Sequence, residues 1–228
     1  MTRNILFLEI FLYAFLSLFA GYGIYIGHTD SERFLSFVKE DGFVEYLTAV
    51  FLFFACIVCV FRIIEYRKQK QMLWVITSLL LAIMFFFGAG EEISWGQRIF
   101  NFQSGEFFLE QNKQQETNLH NLVIGDVSIN KLIFSYTVNI MMVIYFLFLR
   151  YIAKKVKLVG DLIDKFNVPL PQNHHAIMMV GVNLLMGVFT VQKMDELHEF
   201  SFAIIFFLIF LNPLKKKNEP SADFSSSF

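Results

Sequence analysis

Proline is scarce in this chain, only 4 among 228 residues, so little interrupts long helices. Charge is scarce too. Asp, Glu, Lys and Arg make up 17% of the residues, against about a quarter in an average soluble domain. The apolar residues fall in long blocks instead of amphipathic stripes, which excludes an ordinary soluble domain. Cysteine is limited to Cys56 and Cys59, both inside FLFFACIVCVF. Their CxxC spacing sits in an apolar helix, where thiols act as small core fillers, and a disulfide framework is excluded. A net charge of −1 offers no basic excess for nucleic acid. There is no internal repeat and no HExxH motif. The middles of spans three to six carry only neutral polar groups such as Thr77, Ser78, Asn139 and Asn183. A transport path needs polar groups along the crossing, so a transporter or channel is the weaker reading.

Apolar side chains are what the chain has in abundance: 56% hydrophobic residues, 30 of them Phe. Six segments are long enough to expect an all-α, polytopic membrane bundle: 5–26, 43–61, 72–90, 132–149, 176–192 and 195–211. The first is a run of about 22 residues without a small-x-small cleavage site, and reads as a retained span. Thirteen of the 19 Lys and Arg residues fall in the even loops and the two termini. The positive-inside rule then places both termini in the cytoplasm. Residues 1–213 form one membrane domain on this reading, and 214–228 a polar, disordered tail.

The acids are biased the other way, with 14 of 20 on the outer side. They concentrate in HTDSERFLSFVKEDGFVEYLTA, GEEISWGQRIFNFQSGEFFLEQNKQQETNLHNL and QKMDELHEFSFA. The last apolar run is short, so span six must recruit the preceding turn, which holds Asp195, Glu196, His198 and Glu199 near the outer interface. Asp195, His198 and Glu199 then share a helical face. If span three continues past Gly90, Glu91, Ser94, Trp95 and Arg98 also share one. Glu45 lies one turn into span two, at a similar depth. Acids clustered beside a low-dielectric slab persist only when solvated, protonated, paired or bound to a cation. Glu91, Glu92, His120, Asp195, Glu196, His198 and Glu199 together have the composition of a divalent-metal site, zinc among the candidates. A metal-free ion-pair network and plain hydrated helix ends are the competing readings.

Smaller features have simpler expectations. Trp95 suits an interface anchor and Ser94 a helix cap. Glu9 snorkels or pairs with Arg3, and His174 and His175 lie at the inner interface. Ser104 followed by GEFFLEQN, residues 104–112, suggests a short amphipathic helix in the outer headgroup layer.

The runs EDGFVEYLTA, GEEISWGQRIF and ETNLHNL resemble a group of small multi-pass bacterial membrane proteins over about residues 40–125. That resemblance implies a bacterial inner membrane and no particular chemistry. The pairing of acids and histidines at a membrane site is also similar to alkaline-ceramidase-like membrane hydrolases, but the last span lacks their HxxxH.

Two functions follow. As an enzyme, the chain hydrolyses or transfers a group on a lipid or lipid-linked substrate, with Glu91, Glu92, His120 and His198 as catalytic groups. Arg98, Trp95 and Gln97 then bind the head group. As a non-catalytic assembly partner or scaffold, the same polar groups fix helix packing.

Overall fold

A computed structural model describes residues 3–39, 42–119, 121–125, 127–128, 139–189 and 191–214. Among them the chain is mostly helical, with one two-residue ladder and irregular loops such as 101–105 and 112–119. Helix α1 (Arg3–Thr29) leads through α2 (Ser31–Phe37) to α3 (Phe43–Lys68) and α4 (Met72–Glu92). A 3-10 turn at Ser94–Gly96 precedes α5 (Gln97–Phe100) and α6 (Glu106–Gln111), and β1 (Val123–Ile124) pairs antiparallel with β2 (Val127–Ser128). Helix α7 (Asn139–Val143) runs through a π segment (Ile144–Phe148) into α8 (Leu149–Lys155), followed by α9 (Lys157–Lys165), α10 (Asn173–Val188) and α11 (Asp195–Leu211). Pro169 and Pro171 lie between α9 and α10, and Pro213 follows α11, so no described helix contains a proline.

Helices α1, α3 and α4 are long and apolar enough to cross a membrane, with mean hydropathies of 2.0, 2.7 and 2.3. Exposed Phe7, Leu18, Leu80 and Ile83 on their outward faces suit lipid rather than water. The chain is a membrane protein. The first three expected spans fall on these helices. Helices α10 and α11, with 16 and 17 residues, are about 24–26 Å long. The expected fourth span, 132–149, begins outside the described residues; from Asn139 the chain is helical, and the helix runs past the expected end to Lys155.

Helix α11 is the centre of the bundle. Ile204, Ile205, Leu208 and Ile209 are fully buried on it. Phe200 packs against Phe15 and Phe19 of α1 and Phe51 of α3. Phe206 and Phe210 meet Phe85 of α4, and Phe206 also meets Tyr145 and Phe146 of the π segment. In lipid this gain comes from close packing, since tails surround apolar groups as well as the core does. Gly23 allows the closest approach of α1, because a Cβ there would stand 2.4 Å from Leu197 Cδ1.

These contacts fix the helix directions. Glu9 near the start of α1 bonds Asn212 after α11, and Gly23 near the end of α1 meets Leu197 near the start of α11. Phe51 packs on Phe200 and Arg62 donates to the Phe210 carbonyl, so α3 runs parallel to α11. Tyr66 meets Trp74 at one level and Leu52 meets Gly88 at the other, so α4 opposes α3. Asn183 donates to Ser201 and Gln172 to the Asn212 carbonyl, so α10 opposes α11. The bundle therefore has a Glu9 end and a Glu92 end.

Candidate functional site

At the Glu92 end, α4 stops at Glu92 because the next residues leave helical space. Ser94, Trp95 and Gly96 have φ of 46°, 55° and 78°. Two successive non-glycine residues in the left-handed region cost about 1–2 kcal/mol each, so side-chain bonding must hold them there. Trp95 folds back over the helix end. A Cβ on Gly90 would come within 2.9 Å of its ring, and its indole N–H donates to Glu91 Oε1 at 2.8 Å. The helix therefore does not continue through this stretch. The shared face expected for Glu91, Ser94, Trp95 and Arg98 gives way to a turn with a different purpose.

That purpose is to grip residues 112–119. Glu91 Oε2 accepts the Leu119 N–H at 2.6 Å. Ser94 donates its hydroxyl to Glu116 Oε2 at 2.7 Å and accepts from Asn118 Nδ2 at 2.9 Å, while Arg98 pairs with Glu116 Oε1. Gln97 Oε1 accepts the Thr117 N–H at 2.7 Å and the Ser104 hydroxyl at 2.9 Å. Asn112 ties the same loop together, donating to Asn118 and accepting from the Gln114 N–H. Ser94, Glu116 and Asn118 are buried. Glu91, Ser94, Trp95, Gln97 and Arg98 thus bond to their own chain, and Ser94 serves as a bridge instead of the expected cap.

Glu92 points elsewhere. Its carboxylate lies within electrostatic reach of Glu199 and Glu196 of α11, Glu45 of α3 and Glu91. Glu199 in turn feels Asp195 and Glu45. Carboxylates from three helices therefore act on one another electrostatically around Glu92. His198 also reaches α10. Its Nδ1 bonds the Asn183 side-chain oxygen there, and its carbonyl accepts from Ser201 at 2.7 Å. Asp195, His198 and Glu199 lie at i, i+3 and i+4 of α11, and Asp195 acts electrostatically on both of the others. His120 and Asp126 lie outside the described residues.

An apolar surface adjoins this end. Ile99, Phe100, Phe102, Phe107 and Leu109 are exposed on α5, α6 and the segment between them. Trp95 links them to α4 by packing on Phe86 and Phe87, which are exposed as well.

The Glu9 end holds a cluster that the sequence reading passed over. Glu9 is 2% exposed, so it neither snorkels nor reaches for solvent. Its Oε1 lies 3.2 Å from His175 Nε2 and 3.4 Å from His174 Nε2, and accepts from Asn212 Nδ2 at 2.9 Å. His175 is fully buried, and its Nδ1 accepts the Gln172 backbone N–H at 3.1 Å, closing the capping box of α10. Among the described residues, Glu9, His174 and His175 are the His/Cys/Asp/Glu group whose ligand atoms all fall within 4.8 Å of one another. The available signal was a lone carboxylate about two turns into an apolar span, which by itself marks a place to search for partners. Cys56 and Cys59 are free and buried, as fillers should be.

No protein-family model, no curated protein and no solved structure matches this chain.

Proposed function

We propose that this chain crosses the membrane six times with both termini in the cytoplasm. On this reading it acts from its extracytoplasmic side on a lipid or lipid-linked substrate, and residues 1–213 are one membrane domain of a bacterial inner-membrane protein. One observation carries the reading: Glu92, Glu45, Glu196 and Glu199 converge from three helices, although like charges at a membrane edge repel. The exposed side chains of Ile99 to Leu109, continuous through Trp95 with the outward face of α4, support a substrate that arrives sideways from the bilayer.

The described groups that act on Glu92 and Glu199 are all carboxylates. Among the described residues no three of them bring ligand atoms within 4.8 Å of one another, so they form no ready-made metal site. A hard divalent ion such as Mg, Mn or Ca, drawn in with an anionic head group, would supply Lewis acidity toward an ester or phosphoryl oxygen. Glu92 or Glu199 takes the proton of the attacking water and returns it to the leaving alcohol. Glu91, Trp95, Gln97 and Arg98 are positioning residues, holding the loop whose apolar side receives the substrate.

A second reading, a scaffold, is favoured by the same loop, since five of the polar residues in GEEISWGQR bond within the chain. Purified protein in liposomes with a panel of ester and phosphodiester lipids and added Mg or Mn separates the two. The enzyme reading expects head-group or acyl release that falls by about 10²–10⁴ in Glu92→Gln and Glu199→Gln while the melting temperature is kept. Absence of any cation-dependent turnover in the wild type leaves the scaffold.

A further inference from the structure

The Glu9 cluster stands apart from that reading, at the opposite end of the bundle. Two ring nitrogens and one carboxylate oxygen form the donor set of three-ligand zinc sites, in which a water completes the tetrahedron. The separations fit such a site better than they fit hydrogen bonds. With metal–ligand bonds of about 2.0–2.1 Å, the edge of a tetrahedron is about 3.3–3.4 Å; Glu9 Oε1 lies 3.2 and 3.4 Å from the two imidazole nitrogens. Charge-assisted hydrogen bonds are shorter, about 2.7–2.9 Å.

The surroundings supply a second, independent observation. Tyr13 stands one helical turn after Glu9, its ring 6.0 and 6.5 Å from those of His174 and His175. Its hydroxyl is buried with no hydrogen-bond partner. A buried hydroxyl without a partner is costly, and a water on the fourth coordination position would satisfy it. Outer contacts are also in place. Asn212 Nδ2 donates to the liganding Glu9 oxygen, and Gln172 Nε2 donates to the Asn212 carbonyl at 2.9 Å. Such partners orient ligands and tune their affinity. His174 has a side chain 40% exposed, which gives an ion a way in.

We propose that Glu9, His174 and His175 bind a divalent transition ion of the zinc class, with Tyr13 hydrogen-bonded to its water. Loading has one local consequence. In the metal-free form, His175 Nδ1 accepts the Gln172 N–H, so Nε2 carries the proton. Coordination through Nε2 moves that proton to Nδ1 and gives up the Gln172 bond. Three coordination bonds replace one cap contact and a set of long hydrogen bonds.

The test uses the full chain without a histidine tag, purified in detergent, stripped with chelator and re-equilibrated with micromolar zinc or cobalt. The expected result is one equivalent of zinc per chain and the intense visible absorption of tetrahedral cobalt. His174→Ala, at the half-exposed ligand, is expected to weaken zinc retention at least about tenfold with little change in melting temperature. Tyr13→Phe should keep the metal and alter the cobalt spectrum. Glu92→Gln and Glu199→Gln should leave this equivalent untouched, which separates the site from the carboxylates at the far end. Wild type without stoichiometric zinc overturns the proposal, and so does folded His174→Ala that holds zinc as tightly as wild type. The wild-type cobalt spectrum decides the matter without any variant: an octahedral, weakly absorbing spectrum also overturns it.

Discussion

The two ends of the bundle handle carboxylates in opposite ways. At one end Glu9 is alone and surrounded by nitrogen: two imidazoles and an amide converge on a single oxygen. At the other end Glu92 faces other carboxylates from α3 and α11. A single buried anion ringed by nitrogens is settled once they either donate to it or share an ion with it. A group of anions facing one another is unsettled until protons, cations or solvent intervene. Adjacent residues can fall on either side of this divide. Glu91 bonds to Trp95 and Leu119, whereas its neighbour Glu92 joins the like-charged group. A carboxylate's contribution to the fold thus depends on whether donors or acceptors face it, more than on how deep it lies.

Four substitutions would break or sharpen that contrast, measured as thermal unfolding of detergent-solubilised protein in chelator. Glu116→Ala should cost the most, about 2–3 kcal/mol, because buried Ser94 and Asn118 lose their acceptor while Arg98, 53% exposed, can turn to solvent. A loss below about 1 kcal/mol would mean that the loop does not depend on this carboxylate. Glu91→Gln should cost about 1–3 kcal/mol, since its amide group must turn an N–H toward either the Trp95 or the Leu119 donor. Ser94→Ala should cost about 0.5–1.5 kcal/mol, because Asn118 still reaches Glu116 directly at 3.1 Å. Glu92→Gln should have the smallest effect and the opposite sign, a stabilisation of up to about 1 kcal/mol from relieved repulsion. If Glu91→Gln and Glu92→Gln shifted the melting temperature equally, the division between the two neighbours would be lost.

The sequence made some of this legible. Long apolar blocks marked α1, α3 and α4, with starts at 5, 43 and 72 against Arg3, Phe43 and Met72. Composition alone carries that signal, since a helix satisfies its own backbone in lipid. Counting depth along the spans also put Glu45, Glu92 and Glu199 toward the same end of their helices, where they feel one another's charge. The turn at Ser94–Gly96 did not, because a regular 3.6-residue period extrapolates straight through it, and nothing local announces two left-handed residues before the glycine. The Glu9 cluster was harder still. Glu9 and His175 are 166 positions apart, and only the opposed directions of α1 and α11 and the capping of α10 bring Asn212 and both histidines to one carboxylate. Periodicity describes which face of a helix is apolar. It does not say which distant partner that face meets.

The central position of α11 has a consequence for how the molecule is made. The helix that α1, α3, α4 and α10 all pack around emerges from the ribosome after every one of them. Until it inserts, the inner phenylalanines of the earlier segments have only lipid or each other to touch, and Gly23 faces no leucine. Assembly is therefore completed late, and a ribosome that stalls before residue 195 would leave the α3–α4 hairpin packed on itself while α1 and α10 lack the helix that ties them to it, a target for membrane proteases.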